Sequence, residues 1–328
     1  MEFDILREVL IKSDAETDLR YGRDPNMRPI EQYINLGVVN IDKPKGPTSH
    51  QVTSWVRNML RLKKAGHSGT LDPAVTGVLP IGLGNATAIV QALLPFGKEY
   101  VTLMMLHGDS SKKQVKKVFE YFNEKIYQRP PLKSSVKREL RIREIYKIHL
   151  IQKKERYVLF RVFCEAGTYI RKLCHDAGLV LGTGAHMQQL RRTSVAYFNE
   201  SNIVTLYDLK DAFEIYREKK DESELRRCIM PMEKGIQHLK KIWVNDYAVD
   251  SISHGSPLHA PGVSKLETGI ERDDLIGIFT LKNEIAALGT STVSSKEICD
   301  LTHGTVAVPT RVLMKAGTYP KGWKRQHV

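Results

Sequence analysis

Gly66-His67-Ser68-Gly69-Thr70-Leu71-Asp72-Pro73 is the stretch on which the reading of the fold turns. Its two glycines leave the backbone free to take conformations closed to other residues. Such a loop can present His67 and Asp72 to a bound substrate. It also has a plain structural reading, since Asp followed by Pro is how many helices begin, with Asp72 capping and Pro73 in the first turn. A hydrolase elbow is excluded: Thr70 stands where G-x-S-x-G needs its second glycine. Ser68 is therefore not a nucleophile candidate.

Upstream of this loop, the apolar run from Leu36 to Ile41 reads as a buried strand that ends in Asp42-Lys43-Pro44-Lys45-Gly46-Pro47. A helix follows. Thr48 and Gln51 have capping-box spacing, and Val52, Val56, Met59 and Leu60 make one apolar face. Downstream, Tyr157 to Cys164 reads as a near-continuous buried strand. Ile170, Leu173, Cys174, Ala177 and Leu181 then describe a helical stripe, with Thr168 as its cap and Gly182 as its stop.

Arg171 falls in the first turn of that helix, where a cation opposes the macrodipole by a few tenths of a kcal/mol. Such a position calls for a carboxylate or a phosphate. An ordinary structural ion pair would satisfy it. So would Asp72, met across a cleft and kept ionised and aimed by charge-assisted hydrogen bonds. Tyr100, in Gly97-Lys98-Glu99-Tyr100, and Tyr169, just before Arg171, carry rings that serve either as core or as platforms for an extracted base.

The chain has 328 residues, enough for two domains, and Lys and Arg outnumber Asp and Glu by 50 to 37, a net charge of +13. That excess favours polyanionic partners, because each neutralised phosphate releases condensed counterions. Lys133, Lys137, Arg138, Arg141, Arg143 and Lys147 follow Gln128-Arg129-Pro130-Pro131 and suit either a solvated face or a phosphate-tracking edge. Gly82-Leu83-Gly84-Asn85-Ala86-Thr87 is only half a dinucleotide fingerprint. Four cysteines without a CxxC pair give neither a zinc site nor an expected disulfide. With no signal peptide and no membrane-length apolar run, a cytoplasmic protein is expected. Near Lys240 the texture changes to short strands, Leu275–Leu281 and Glu284–Leu288 among them, separated by Gly, Asn and Asp turns, as in a small β-barrel.

Five motifs in order now make a specific resemblance. Asn40-Ile41-Asp42-Lys43-Pro44 through Gly46-Pro47-Thr48-Ser49-His50, then Gly66 to Pro73, Gly97-Lys98-Glu99-Tyr100-Val101, Gly167-Thr168-Tyr169-Ile170-Arg171 and Leu190-Arg191-Arg192-Thr193 resemble the TruB/dyskerin family of RNA pseudouridine synthases. The match runs from about Pro29 to about Thr193 and continues more loosely beyond. The extension before Pro29, Gln128 to Pro131, and the Gly255–Lys265 and Ala286-Ala287-Leu288-Gly289 segments are similar to the dyskerin side in its archaeal form. Ala88 departs from the arginine usual there, which puts one phosphate or structural contact in doubt.

The resemblance implies an α+β fold: a catalytic domain over 30–239 whose central sheet is mixed and largely antiparallel with flanking helices, and a PUA-like β-barrel over 240–325. An extension over 1–29 would pack on the latter. It implies isomerisation of uridine to pseudouridine with neither cofactor nor metal. Asp72 would be the catalytic carboxylate, held by Arg171. Tyr100 would stack on the base, His67 would fill the space it vacates, Tyr169 and Leu190 would line the pocket, and Lys43 would support its wall. Guide RNA, rRNA and tRNA would be the nucleic-acid partners, with the small protein subunits of an H/ACA particle beside them. Two competing readings are a non-catalytic PUA-type RNA-binding protein, in which Asp72 is expendable, and a PUA-bearing RNA methyltransferase, which needs a better glycine-rich cofactor loop than Gly82–Thr87.

Overall fold

The computed structural model describes residues 7–129, 137 and 139–321. Pro130, Pro131, Lys133 and Arg138 of the basic segment lie outside the described residues. The chain divides into two compact units, one of residues 39–81 and 90–228 and the other of residues 1–38, 82–89 and 229–328.

The first unit is built on a mixed sheet. Its strands are β1 (Gly37–Lys43), β2 (Thr76–Leu83), β3 (Lys98–Leu106), β4 (Lys125–Gln128), β5 (Arg141–Lys154), β6 (Tyr157–Cys164) and β7 (Ala185–Val195). They lie in the order β1-β2-β7-β3-β6-β5-β4. β7 joins β2 in parallel, whereas β3 pairs antiparallel with both β7 and β6. Three helices matter for the site: α1 (Ser49–Met59), α2 (Lys112–Phe122) and α3 (Ile170–Val180).

Local chemistry explains these elements. Thr48 and Gln51 make both halves of the capping box that starts α1, and Val52 and Val56 face inward. β3 alternates strictly, so Lys98, Tyr100, Thr102, Met104 and Leu106 share its buried face. β6 also alternates rather than being buried throughout, because the apolar core packs on only one face of this antiparallel part of the sheet. Behind the sheet, Met104, Phe119, Phe160 and Leu173 form part of one apolar core. Gly77, at φ +103°, lies opposite Arg192 in the parallel pair, and a Cβ there would come within 2.2 Å of the Arg192 carbonyl oxygen. Only glycine permits that approach.

One boundary differs from the sequence expectation. Tyr169, not Thr168, precedes α3, and it makes no side-chain cap. The Thr168 hydroxyl is already committed to the Glu165 carbonyl at 2.7 Å, within the turn before the helix. Leu181 ends α3 and Gly182 follows at φ +73°, as its role as a stop requires. The Asp72-Pro73 segment starts no helix: Val75 N–H donates to the Asp72 carbonyl in an isolated turn.

In the second unit a seven-stranded sheet runs Val9–Ile11, Val263–Glu267, Lys240–Val244, Leu275–Thr280, Ile285–Ser291, Thr305–Val312 and Leu258–His259. Val9–Ile11 adds to Val263–Glu267 antiparallel, so a segment near the start of the chain completes a sheet made near its end. Arg7 pairs with Glu267 at 2.9 Å, and Thr17 donates to Asp246 at 3.0 Å. Deeper in, Arg28 makes a two-pronged contact with Glu233 at 3.0 and 2.6 Å. All four cysteines are free. No helix among the described residues is long and apolar enough to cross a membrane.

Candidate active site

The Gly66–Pro73 loop is fixed from below. Ser49, fully buried at the start of α1, accepts from Leu71 N–H at 2.8 Å and donates to the Leu71 carbonyl at 3.1 Å. Lys43, buried at the end of β1, donates its ammonium to the carbonyls of Pro44, Pro73 and Val75 at 3.0, 3.2 and 2.8 Å. Burial draws the Lys43 pKa down while Asp72 opposes that shift. The peptide on either side of Asp72 is thus tied to two elements, and the carboxylate projects from a stiff backbone.

Arg171 comes to it from the start of α3, 99 positions along the chain, with its Nη2 2.5 Å from Asp72 Oδ2. Both side chains are more than half exposed, at 51% and 57%, so the pair is open to a ligand rather than sealed in the core. The segment bearing Arg171 is fixed as well. The Gln128 amide, itself buried, accepts from Tyr169 N–H at 2.9 Å and donates to the Tyr169 carbonyl at 3.1 Å.

Asp72 and Arg171 border a cavity of about 530 Å³ in which Tyr100, Tyr169 and Leu190 also take part. That volume suits a nucleotide-sized ligand. Five of the seven residues singled out in the sequence therefore line one cavity. Lys43 does not; it lies beneath the loop, where its three carbonyl contacts brace the wall. Nor does His67, which packs edge-on against His50 with ring centroids 4.8 Å apart.

Among the described residues neither ring nitrogen of His67 has a hydrogen-bond partner. Desolvation, then His50 and Arg192, lower its pKa to about 4. The folded chain therefore keeps this imidazole neutral, while the unfolded chain protonates it near pH 6.5. The stability it contributes is present above pH 6.5 and lost as pH falls toward 4. Urea unfolding at stepped pH should show this slope, and His67→Phe should flatten it by up to one proton's worth. An unchanged slope in the variant would assign the dependence to other groups.

Two further charged residues line the cavity that the sequence did not single out individually. Arg192, at 1% exposure, donates from Nε to the Val78 carbonyl at 2.8 Å, reaches Gly69 O at 3.4 Å, and hydrogen-bonds the Tyr100 hydroxyl. Burial pushes the Tyr100 pKa up to about 12, so its hydroxyl stays protonated at neutral pH. Lys98 lies buried beside them and donates to the carbonyls of Leu94 and Phe96 at 3.0 and 2.7 Å. Burial, then Arg192, lower its pKa to about 8. Strand alternation carried a signal for Lys98, which shares a face with Tyr100 two residues on. The adjacent Arg191 and Arg192 must face opposite ways, but nothing in the sequence says which turns inward. Arg191 is the outer one, paired with Asp42 at 2.9 Å and Glu200 at 2.6 Å. No cluster of metal-ligating side chains occurs among the described residues.

In the basic segment, Arg143 pairs with Glu165 at 3.3 Å, while Lys137 and Lys147 are exposed.

Comparison with known proteins places this geometry. Residues 57–170 match the model of the TruB family pseudouridylate synthase N-terminal domain, and residues 171–237 match the tRNA pseudouridylate synthase B C-terminal domain. A DKCLD domain matches residues 1–53 and a PUA domain residues 240–313. The chain is 53% identical over 323 residues to the probable tRNA pseudouridine synthase B of Methanopyrus kandleri, covering 98% of this chain and 96% of that one. Identity to the protein of the same description from Archaeoglobus fulgidus is 52%, covering 97% and 98% of the two chains.

Among solved structures, a chain of a Cbf5-Nop10-Gar1 complex superposes with a TM-score of 0.92 at 50% identity, over 97% of this chain and 98% of that one. A chain of an H/ACA RNP bound to a substrate RNA containing 2′-deoxyuridine gives 0.93 at 48% identity, over 98% and 99%. With its fold, four domain matches and near full-length archaeal relatives in agreement, the chain belongs to the TruB family of pseudouridine synthases.

Proposed function

We propose that this protein isomerises uridine to pseudouridine in RNA, with Asp72 as the catalytic carboxylate, as the catalytic subunit of a guide-RNA-directed H/ACA particle. The observation that carries the assignment of Asp72 is its contact with Arg171 at the mouth of a nucleotide-sized cavity. The reaction cuts the bond between uracil N1 and ribose C1′, turns the base, and rejoins it through C5. The base must first leave the stack, at a cost of a few kcal/mol. Tyr100 and Tyr169 give the cavity aromatic surface on which the extruded base stacks. Arg171 holds Asp72 by a charge-assisted hydrogen bond and aims it at the sugar–base junction. Leu190 closes the apolar side, Lys43 holds the loop, and His67 fills the space that the extruded base has left.

Residues 30–239 form the catalytic domain in this reading, and 240–325, together with the 1–29 extension, form its RNA-binding companion. The net charge of +13 supports phosphate binding over several contacts. RNA of the target and of the guide, and small protein subunits, are the partners, and the particle works in the cytoplasm.

Guide-directed action on rRNA is favoured because the matching solved chains come from complexes described as Cbf5-Nop10-Gar1 and as an H/ACA RNP. The names of the curated relatives support a second reading, guide-free action on the T-loop uridine of tRNA. Tritium release from 5-³H-uridine-labelled rRNA fragments and tRNA, with and without guide RNA and the small subunits, separates them. Release from rRNA that depends on the guide is expected. Release from tRNA alone would overturn the guide-directed reading, and no release from either would refute the synthase assignment.

A further inference from the structure

Lys98 and Arg192 are the least explained groups in the cavity. Both are cations, both are buried, and neither forms an ion pair among the described residues. They converge under the same point: a Cβ on Gly69 would lie 3.8 Å from Arg192 Nη1 and 3.9 Å from Lys98 Cε. Gly69, at φ +107°, keeps that point open.

Among the described residues their protein partners are neutral oxygens only, the carbonyls of Val78 and Gly69 and the Tyr100 hydroxyl for Arg192, and those of Leu94 and Phe96 for Lys98. A guanidinium has five N–H donors and an ammonium three. Each cation therefore retains donors beyond those its carbonyl and hydroxyl partners engage. Burying positive charge without a counter-ion is costly unless something else supplies the negative charge. A purely structural cation would more cheaply be apolar, or be matched by an acid. Among the described residues the one acid lining the cavity, Asp72, is held by Arg171.

The chemistry of the proposed reaction supplies that negative charge transiently. When N1–C1′ breaks, the bonding pair leaves with the base, which becomes a uracil anion with its charge spread over N1, C5 and the two carbonyl oxygens. Sugar C1′ is left electron-poor, opposite Asp72. In the second half, C5 gives its electron pair to C1′, the new C–C bond forms, and the C5 proton is lost while N1 gains one.

We propose that Lys98 and Arg192 are catalytic residues that hold the detached uracil as its anion, by charge-assisted hydrogen bonds to its carbonyl oxygens, while it turns within the cavity. This rests on the reading of the protein as a pseudouridine synthase. The two halves of the cavity then have opposite tasks: Asp72 with Arg171 serves the sugar, and the buried cations serve the base. Preorganised donors aimed at developing charge need no rearrangement at the moment of bond cleavage.

Lys98 is the better residue to test, because Arg192 also ties Val78 to the Gly69 loop. Single-turnover rates are measured with saturating protein on target RNA bearing either uridine or 5-fluorouridine at the modified position. The loss of the nitrogen-linked nucleotide is counted after nuclease digestion, and RNA affinity is measured in parallel. Fluorine at C5 makes the departing ring more acidic, so its anion needs less help.

Lys98→Met should be slower by about 10²-fold on uridine with unchanged RNA affinity. On 5-fluorouridine the deficit should shrink to less than about tenfold. An equal deficit on both substrates, no deficit, or one explained by weaker binding would overturn the proposal. Should Lys98→Met fail to fold, Lys98→Arg decides. The wild-type rate should fall as pH rises through about 8, where Lys98 loses its proton, and the arginine variant should lack that fall. A fall common to both proteins would remove Lys98 from the reaction. Failure of the underlying reading looks different: the wild type would then leave uridine unchanged.

Discussion

Asp72→Asn is expected to lower the rate of pseudouridine formation by on the order of 10⁴-fold or more, the scale on which loss of an essential carboxylate or nucleophile is felt. Asparagine nearly matches aspartate in shape, and the position is half-exposed, so neither cavity nor core is disturbed. The amide oxygen can still accept from Arg171. What disappears is the charge and the nucleophilicity at the sugar–base junction. RNA binding should survive within about threefold, because affinity comes mainly from phosphate contacts made by cations elsewhere. Single-turnover tritium release and a filter-binding titration on one preparation give both numbers. Preserved release in the variant would refute the assignment of Asp72. A loss of release that merely tracked a loss of binding would favour the non-catalytic RNA-binding reading.

The largest effect on stability is expected at Arg28. Its guanidinium is 2% exposed and lies 2.6 Å from Glu233 and 3.8 Å from Glu284, both nearly as buried. Burial already pushes the Glu284 pKa up, with Arg23 N–H and Arg28 opposing. Arg28→Met would leave two carboxylates in one buried place without their cation. Removing one partner from such a group costs about 3–5 kcal/mol, since the remaining charge stays desolvated. Against a total stability of about 5–15 kcal/mol that is a large fraction. Urea unfolding should show it as a lower midpoint. Adding Glu233→Gln to the same chain should restore part of the loss by removing one stranded charge. A loss below about 1 kcal/mol would mean that water reaches the site and solvates the carboxylates.

Arg28 also illustrates what was out of reach in the sequence. It stands before a proline in a polar stretch that reads either as packing on another part of the chain or as staying mobile. Its partners are 205 positions away at Glu233 and further still at Glu284. The same holds for Val9–Ile11, whose strand partner is Val263–Glu267. The Thr168 cap failed for a local reason. A hydroxyl at the right spacing was already committed to the Glu165 carbonyl, a competition that spacing does not record.

The sequence by itself determined the parts whose physics is local or periodic. The Thr48–Gln51 capping box, the stripe of α3 with its Gly182 stop and the change of texture near Lys240 all depend on neighbours a few residues apart. The ordered motifs also marked Asp72, Arg171, Tyr100, Tyr169 and Leu190. Only the tertiary structure decided that these five share a cavity, that Lys43 braces its wall from below, and that Arg192 rather than Arg191 turns inward. It also brought Lys98 and Arg192 together under Gly69 with no acid among the described residues to balance them. Which charges are desolvated, and which are paired, depends on segments brought together from across the chain, and no short window of residues contains that information.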